Sequence, residues 1–486
     1  MNGDLLGSLP AMIIKFANSK SFARCAALTF VFAIFAALTA WTTEIPSSLP
    51  SASDELLKHV RYLASDELMG RGVDNAGIDM ARDYIAAEFK RYGLVPGGEN
   101  GSFFQGLEVL TGSKINEPSS LSFENGPPLV LNVEWIPFSF SRSTNVEAEM
   151  VFAGYGITAK DYGYDDYSGL DVKDKIVLVL RYEPPPKNEK SPFQKSPRYS
   201  SHATLISKAN NARSHGALGM ILVDLHPPSA GEKTLIPTRR TLGPSDAGIV
   251  ATQVKREIVE KRLQEAGVSL QELKEKIDKE EKPVSTSLPG IRVSIDVALE
   301  KITKKTDNVI GVLPGSDPEL RGENIVIGAH YDHIGLGYFG TRDTSAEGKI
   351  HNGADDNASG TAVMMKLAER LSRRPNRQAR TIVFVAFTAE ELGTHGSNHY
   401  VNHPTFSLAS TKAMINLDMV GRMKDNRLTA AGIDTAKEFR ALVTAAGQDL
   451  GVEIAPSSRA VGGSDHAAFY RKNIPVLHFY TGSHED

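Results

Sequence analysis

The chain has 486 residues, of which 41% are hydrophobic, so it is long enough for two or three domains with apolar cores. Its 54 basic and 58 acidic residues nearly balance, and a net charge of −4 without a basic patch argues against a nucleic-acid partner. The single cysteine, Cys25, excludes an intramolecular disulfide and a cysteine cage for a metal, so any transition-metal site must use His, Asp and Glu.

The first 42 residues have the pattern of a signal peptide or an N-terminal membrane anchor. Three basic residues precede an uncharged apolar run at residues 25–40 that ends in small side chains. Cleavage after Ala40 would give an extracytoplasmic protein, either periplasmic or secreted. If the segment is retained, it anchors the chain in a membrane with its positive flank in the cytoplasm. Residues 43–53 follow as a linker.

Residues 54–132 are expected to form the first part of the main domain and begin with two predicted helices. The first begins at Asp54, and the second spans about residues 77–92 and ends at Gly93. The break between the two helices contains Arg71. Packing of these helices on a sheet is a sufficient role for them, and the pattern leaves open whether Arg71 faces a site.

Residues 133–290 differ in character and are predicted to be an inserted, β-rich domain. Strand-like runs occur at residues 151–156, 175–181 and 218–223, and a helical stretch at residues 203–216. A charged stretch at residues 255–282 is predicted to be a helix with a solvated face. The histidines of this domain have no acidic partners at metal-ligand spacing, so the domain is expected to be non-catalytic.

Residues 291–486 are expected to form the second part of the main domain and contain three apolar runs that end in polar residues. They cover residues 324–333, 380–393 and 413–421, and a helical stretch lies at residues 361–374. Short continuous apolar runs separated by helices indicate buried parallel strands. The expected fold class is therefore α/β, with a mostly parallel central sheet that the inserted domain interrupts.

Acidic residues and a histidine follow the ends of these three runs. They are His330, Asp332, Glu390, Glu391 and Asp418. Ligands in open parallel sheets bind beyond the carboxyl ends of the strands, and one ion pair would not need so many carboxylates. The pattern indicates a pair of divalent cations, with one glutamate able to take a proton from water activated by a metal.

A loop before the predicted helix at residue 361 carries two adjacent aspartates, Asp355 and Asp356. One carboxylate there could bridge two cations through its two oxygens. A simpler explanation is that Asn357 or Ser359 caps the helix, but capping accounts for one polar residue and not for two aspartates.

Two further positions keep alternative explanations. Alternation along an extended segment places His330 and Asp332 on one side and His333 on the other, so Asp332 could orient His330 or bind a metal directly. A buried aspartate needs a partner, so Asp418 is expected to pair with a cation or with Arg422.

Four short blocks carry a specific resemblance to a known family. They read AHYDH at residues 329–333, GADDNASG at 353–360, AEELG at 389–393 and NLDMVGR at 416–422. With these blocks, the chain from about residue 53 onward resembles the co-catalytic dizinc aminopeptidases, a family of zinc exopeptidases that includes glutamate carboxypeptidase II and the transferrin receptor ectodomain. The inserted domain resembles the protease-associated domain that many relatives carry.

The resemblance implies a zinc-exopeptidase sandwich, with helices on both faces of the sheet, and a role for each matching residue. The residues expected to bind two zinc ions are His330 and Asp418 for one ion, Glu391 for the other, and Asp355 as the bridge. Glu390 is expected to be the general base, and Asp332 to orient His330. The peptide bond between Asp355 and Asp356 is expected to be cis.

One departure from the family pattern concerns the end of the chain. Relatives supply a fifth ligand, a histidine, from a segment that should begin where this chain ends at residue 486, so a C-terminal segment is expected to be missing. The second zinc is then expected to bind poorly through Glu391 and Asp355. His484 is a candidate substitute ligand or simply a frayed terminal residue. The block at residues 462–467 is expected to line the site.

The expected function is metal-dependent hydrolysis of peptide bonds by an aminopeptidase that uses two zinc ions. Two other interpretations remain open. A catalytically silent, receptor-like binding protein of the same fold is favoured by the missing fifth ligand, and a single-zinc acyltransferase similar to glutaminyl cyclases is the other. Retention of Glu390 and of four ligands favours the peptidase.

Overall fold

A computed structural model describes residues 52–194, 199–226, 234–238, 246–338, 340, 346–457 and 462–482. The predicted signal segment at residues 1–42, most of the linker and His484 lie outside the described residues. Within the described part of the chain, no helix combines the length and the apolar character needed to cross a bilayer.

The strands and helices of the described residues are numbered in chain order. The strands are β1 (Val95–Pro96), β2 (Phe104–Ile115), β3 (Ser120–Phe123), β4 (Trp135–Pro137), β5 (Asn145–Phe152), β6 (Thr158–Ala159), β7 (Tyr164–Asp165), β8 (Ile176–Leu180), β9 (Gly219–Val223), β10 (Val250–Val254), β11 (Thr286–Asp296), β12 (Leu299–Leu313), β13 (Asn324–His330), β14 (Thr381–Phe387), β15 (Thr411–Leu417), β16 (Arg427–Ala431), β17 (Glu453–Ser457) and β18 (Val476–Tyr480). The helices are α1 (Ala52–Leu63), α2 (Gly77–Arg91), α3 (Leu205–Ser214), α4 (Arg256–Glu265), α5 (Leu270–Glu280), α6 (Gly360–Ser372), α7 (His395–Asn402), α8 (Phe439–Leu450) and α9 (His466–Tyr470).

The chain divides into two units. The main unit comprises Met1–Val109, Lys304–Gly337 and Ala346–Asp486, and the inserted unit comprises Leu110–Thr303 and Tyr338–Ser345. The inserted unit extends beyond the predicted boundaries of 133 and 290 at both ends. The reason at its start is that β3 precedes residue 133 yet pairs with β11 in the sheet of the insert.

The main unit contains a sheet with strand order β1-β12-β14-β13-β15-β18-β16-β17, with β2 beside β12. Strand β13 runs parallel to both β14 and β15, and β15 runs parallel to β18. Strands β12 and β16 run antiparallel to their neighbours β14 and β18. The sheet is therefore mixed and mostly parallel, which confirms the predicted fold class.

Both faces of this sheet are covered, which explains the continuous apolar runs in its centre. All residues of β13 and β14 are buried. Along β13, Ile325 and Ile327 pack with α1, α2 and α6, whereas Val326 packs in a separate cluster with α7 and α9. Strands that are buried on both faces lose the alternation of apolar and polar residues that half-exposed strands show.

Helix α2 forms where the apolar spacing predicted it. Its buried face includes Ile78, Ala81, Ile85 and Phe89, which recur every three or four residues. Gly93 adopts a φ of 77° just after the helix, a conformation that glycine reaches without steric cost. The prediction that Gly93 ends this helix is therefore confirmed.

The inserted unit contains a sheet with strand order β3-β11-β5-β8-β9-β10-β4, and β6 pairs with β7. Strands β5, β8, β9 and β10 run parallel, while β11 runs antiparallel to β5. The prediction of a β-rich insert is confirmed. The charged stretch at residues 255–282 forms two helices, α4 and α5, because Gly267 interrupts it with a φ of 73°.

The chain enters the insert through β2 and returns through β12. The backbone N–H of Ile310 donates to the carbonyl oxygen of Phe103 at 2.7 Å, and that of Asn116 donates to Ala298 at 2.8 Å. Residue numbers rise along one strand as they fall along the other, so the two strands run antiparallel. The entering and returning segments therefore lie side by side.

Candidate metal centre

Three parallel strands bring their carboxyl ends to one edge of the main sheet. Strand β13 ends at His330, β14 is followed by Glu390 and Glu391, and β15 is followed by Asp418. In the register of the sheet, His330 lies opposite Phe387, the last residue of β14. The predicted site residues therefore meet at the strand ends, where ligand sites of open parallel sheets form.

One cluster of ligand atoms consists of His330, Asp356 and Asp418. The Nε2 atom of His330 lies 3.3 Å from Oδ1 of Asp418 and 3.3 Å from Oδ1 of Asp356. Two ligands of a tetrahedral zinc, each about 2.0–2.1 Å from the ion, are separated by about 3.3 Å. The spacing and the donor types of this cluster therefore fit zinc.

A second cluster consists of His333, Asp356 and Glu391. The Nδ1 atom of His333 lies 2.6 Å from Oε1 of Glu391, which is a hydrogen-bond distance. In each cluster the ligand atoms lie within 4.8 Å of one another, and Asp356 belongs to both clusters. A carboxylate that two clusters share can bridge two cations, as in two-metal hydrolases.

The carboxylate that both clusters share belongs to Asp356, whereas the prediction names its neighbour Asp355 as the bridge. Asp355 accepts hydrogen bonds at 2.7 Å from Nε of Arg422 and at 2.7 Å from the N–H of Gly421. The backbone leaves the helical turn at Asp356, with φ −102° and ψ 98°, so the two side chains face different ways. The cis peptide bond also falls one residue later than predicted, between Asp356 and Asn357.

Asp418 pairs with His330, while Arg422, one of the two partners predicted for Asp418, pairs with Asp355. Burial alone would raise the pKa of Asp418, but the charge and the hydrogen bond of His330 outweigh burial and lower this pKa to about 2. Burial alone would lower the pKa of His330, but Asp418 and Glu390 raise it well above its usual value. Without a metal ion, the protonated imidazole therefore supplies the positive charge of the cluster.

Asp332 connects the ends of β13 and β14. Its carboxylate oxygens accept hydrogen bonds from the N–H groups of Glu390 at 3.1 Å and Glu391 at 3.2 Å. The Nδ1 atom of His330 lies 3.7 Å from Oδ1 of Asp332 but only 3.2 Å from its carbonyl oxygen. Asp332 thus positions both glutamates, and its main-chain carbonyl is the nearer group that can orient His330.

Glu390 lies beside the first cluster and is mostly buried. Its Oε2 atom is 3.9 Å from Nε2 of His330, and its side chain is 10% exposed. Burial raises the pKa of Glu390 well above its usual value; His330 opposes this rise, and the negative charges of Asp465, Asp418 and Glu391 add to it. A carboxylate in such surroundings binds a proton more readily than a solvated one, as a general base must.

Arg71 is part of this site, although its sequence pattern left it unassigned. Its guanidinium is fully buried and donates at 2.8 Å to the carbonyl oxygens of Tyr331, Asn352 and Gly353, and also to that of Leu63. Burial lowers the pKa of Arg71 to about 10, so the group stays protonated at neutral pH. The available signal was the break in helical periodicity between α1 and α2.

His333 lies in the second cluster although its sequence pattern gave it no role there, and Asp465 belongs to the block that was expected to line the site. Strand β13 ends at His330, so the strand alternation that predicted an opposite direction for His333 does not extend to it. Asp465 is fully buried in the block at residues 462–467, and its charge acts on Glu390. Burial raises the pKa of Asp465 to about 7.

Two family models match this chain. One, described as Peptidase family M28, matches residues 308–486, and the other, described as PA domain, matches residues 146–261. The first match includes all members of both ligand clusters. The second match lies within the inserted unit.

A comparison with an individual protein agrees with these family matches. The chain is similar to aminopeptidase YwaD of Bacillus subtilis (strain 168), with 27% identity over 341 residues that cover 68% of this chain and 59% of that protein. The chain thus spans less than two thirds of the length of this relative.

Two solved structures show that the fold is shared. An aminopeptidase from Aneurinibacillus sp. strain AM-1 matches with a TM-score of 0.53 and 23% identity over 88% of this chain and 84% of that one. The zinc aminopeptidase BSAP from Bacillus subtilis matches with a TM-score of 0.52 and 22% identity over 89% and 86%.

Proposed function

We propose, on the premise that this chain belongs to peptidase family M28 and carries a PA domain, that it is a zinc-dependent aminopeptidase. The observation that carries the proposal is the pair of ligand clusters that share Asp356. The buried carboxylate of Glu390 beside them supplies a proton acceptor. The similarity to aminopeptidase YwaD favours peptides as substrates and removal of N-terminal residues as the reaction.

The proposed hydrolysis assigns a role to each group around the clusters. Zinc at these positions would polarise the scissile carbonyl and make water a stronger acid. The carboxylate of Glu390 takes a proton from the attacking water as the C–O bond forms, and returns it to the leaving nitrogen as the C–N bond breaks. Asp332 holds Glu390 in place through its hydrogen bond to the N–H of that residue.

We further propose that the complete site holds two zinc ions. His330 and Asp418 would hold one ion and Glu391 the other, and the carboxylate of Asp356 would be shared between them. The support is the two-cluster geometry, in which ligand atoms converge without a cysteine, as the composition requires. Imidazole and carboxylate donors are ordinary ligands of catalytic zinc.

We also propose that the enzyme acts outside the cytoplasm. The support is the signal-like pattern of residues 1–42, with basic residues followed by a short uncharged apolar run. Removal of this segment would release a periplasmic or secreted enzyme, and retention would tether it to a membrane. The N-terminal sequence of the mature protein, determined after expression in a cell with an export pathway, separates these two outcomes.

Turnover of a panel of aminoacyl chromogenic amides tests the proposed activity. Hydrolysis that a chelator abolishes and added zinc restores is the expected result. A folded protein that binds zinc but hydrolyses no member of the panel would instead be a silent binding homologue. Cyclisation of N-terminal glutamine by a chain that holds one zinc would identify the acyltransferase.

A further inference from the structure

Helix α7 carries histidines that the metal centre does not use. His395, His399 and His403 recur every four residues, and His403 immediately follows the last residue of the helix. Side chains four residues apart on a helix are neighbours on one face. The imidazole rings of His399 and His403 are in contact, with their centroids 4.5 Å apart. Two histidines at this spacing on a helix are a recurring arrangement for binding a metal ion.

Each of these two rings has a nitrogen that suits a bond to a metal. The Nδ1 atom of His403 lies 3.3 Å from the carbonyl oxygen of His399, which can only accept, so Nδ1 carries the proton and Nε2 the lone pair. Metal-bound histidines typically donate their other ring N–H in this way. The Nε2 atom of His399 is buried and has no hydrogen-bond partner in the described part of the chain. Buried polar atoms are normally satisfied, so this nitrogen requires an explanation.

The charges around the pair favour a cation. His403 stands at the C-terminal end of α7, where the helix dipole is negative. Burial and the neighbouring His403 lower the pKa of His399, while the charge of Glu99 opposes them. The imidazole of His399 is therefore neutral at neutral pH, as a metal ligand must be. Glu99 is exposed in the turn Glu99–Gly101, so its carboxylate is able to approach an ion at this place.

The spacing of the rings indicates which ions fit. A ligating nitrogen lies about 2.0–2.1 Å from its ion and the ring centroid about 1.2 Å further, so two imidazoles at right angles have centroids about 4.5 Å apart, against about 5.2 Å at the tetrahedral angle. The observed 4.5 Å matches ligands at right angles, the geometry of Cu²⁺ and Ni²⁺. The ring planes differ by 29°, so the exposed ring of His403 would turn about its soft χ2 torsion to direct both lone pairs at one ion.

We propose that His399 and His403 form a transition-metal site on α7, with their Nε2 atoms as ligands and Cu²⁺ or Ni²⁺ as the ions that fit. Water and the carboxylate of Glu99 would complete the coordination. Neither histidine belongs to a cluster of the metal centre, so this site does not rest on the proposed function. Helix α7 follows the turn that carries Glu390 and Glu391, and an ion across its last turn would stabilise the folded state.

A pair of histidines with a purely structural role would stack without binding a metal. The test is addition of Cu²⁺ to the zinc-loaded full chain, with calorimetry for the affinity and analysis of released zinc to detect exchange at the metal centre. One additional Cu²⁺ per chain is expected to bind without release of zinc. Its electron paramagnetic resonance spectrum should show splitting from two imidazole nitrogens.

His399→Ala and His403→Ala each remove one ligand. Either variant should bind the additional Cu²⁺ at least about tenfold more weakly, since even outer partners of metal ligands have effects of that size. The remaining signal should show one imidazole nitrogen. His226→Ala is the matched control, because His226 is an exposed histidine of the inserted unit, and it should bind Cu²⁺ as the wild type does. His399→Phe, which keeps an aromatic ring at this half-buried position, replaces His399→Ala if the latter does not fold.

Three results would overturn the proposal. They are Cu²⁺ that enters only as zinc leaves, Cu²⁺ that binds both folded variants as tightly as the wild type, and a spectrum without splitting from imidazole nitrogens. Each of them would leave the proposed function standing, because turnover of aminoacyl amides does not involve this pair. Circular dichroism shows whether each variant is folded, and added Cu²⁺ should raise the thermal unfolding midpoint of the zinc-loaded wild type more than that of either variant.

Discussion

Glu390 and Glu391 are identical neighbours to which the fold gives different partners. Both N–H groups are held by the carboxylate of Asp332. The side chain of Glu391 pairs with His333, whereas that of Glu390 lies 3.9 Å from His330 beside the first cluster. The different roles proposed for them therefore come from position and not from residue type.

Replacement of the proposed base should separate chemistry from metal binding. Glu390→Gln is expected to keep its fold and its zinc but to lose about 10²–10⁴-fold in kcat, because a neutral amide cannot accept the proton of water. Steady-state kinetics on an aminoacyl amide and zinc analysis of the same sample make the comparison. Glu319→Gln, at an exposed position of the main unit, is the control. Normal turnover by the Glu390→Gln variant would mean that another group is the base.

The two aspartates before α6 should respond differently to the same substitution. Asp356→Asn is expected to weaken binding of both zinc ions, because its carboxylate belongs to both clusters. Asp355→Asn is expected to retain both ions and to lower the free energy of unfolding by about 1–3 kcal/mol, because it weakens the hydrogen bonds to Arg422 and Gly421. Zinc titration and urea denaturation measure the two effects. Loss of both ions only in Asp355→Asn would favour Asp355 as the bridge, as the family resemblance implies.

The adjacent aspartates also show where prediction from sequence stops. The residue types and the motif located the loop of the candidate metal site, but which aspartate faces the clusters depends on the backbone angles of Asp356 and Asn357. The direction predicted for His333 differs from the structure for a related reason, because strand alternation does not continue beyond His330, the last residue of β13. Site residues within regular strands follow from periodicity, whereas those in the turns after them depend on tertiary contacts.

Zinc affinity should depend on pH through His330. Its negative neighbours raise the pKa of His330 well above the usual value, so without zinc the imidazole carries a proton at neutral pH. Zinc must displace this proton, so affinity should increase by up to about tenfold per pH unit and level off above the raised pKa. Calorimetry in buffers of different ionisation enthalpy counts the protons released. An affinity that does not change between about pH 6 and 8 would contradict this protonation state.

At the scale of elements, strands were more predictable than the segments between them. The runs of β13 and β14 are buried on both faces, so hydrophobicity alone marks them. The turns that carry the site are connected through Arg71, which donates to the last residue of α1, to Tyr331 after β13 and to Gly353 before α6. Sequence periodicity does not reveal these hydrogen bonds of Arg71, because their acceptors are main-chain carbonyls of segments that are distant in the sequence.

Arg71→Lys should show how far these elements depend on one guanidinium. Lysine keeps the charge but has a compact ammonium with three donors, which cannot match the spread of carbonyls that the planar guanidinium contacts. Unsatisfied buried carbonyls should lower the free energy of unfolding by about 2–4 kcal/mol. Urea denaturation of the zinc-free protein measures the loss. Arg61→Lys, at an exposed position of α1, is the control, and equal stability of both variants would contradict this role.

At the scale of the whole molecule, the insert was recognised from a change in pattern, but its limits were not. Strand β3 pairs with β11 although about 160 residues separate them, and such long-range pairing leaves no local signal. The composition of residues 110–132 gives no boundary either, because β2 begins in the main unit and ends in the insert. Domain limits within a continuous strand are visible in the tertiary structure alone.

The insert should be removable without loss of the metal centre. Replacement of residues 117–297 by an Asn-Gly turn would join β2 to β12 as a hairpin, since Asn116 already donates to Ala298 at 2.8 Å. The shortened chain is expected to fold and to bind the same number of zinc ions as the full chain, because both clusters lie in the main unit. Circular dichroism and zinc analysis test this. A shortened chain that does not fold would show that the main unit depends on the insert.

The pairing of β2 with β12 also bears on how such proteins diverge. Two paired strands lie about 4.8 Å apart. Strands β2 and β12 are therefore spaced like the two strands of a hairpin, whatever segment connects them. Insertion, loss or exchange of a module at that point is expected to leave the register of β13, β14 and β15 unchanged, because these strands lie on the far side of β12 in the sheet order. Relatives can therefore differ greatly in length while the spacing of the metal ligands stays constant, and chain length is a poor guide to shared chemistry among them.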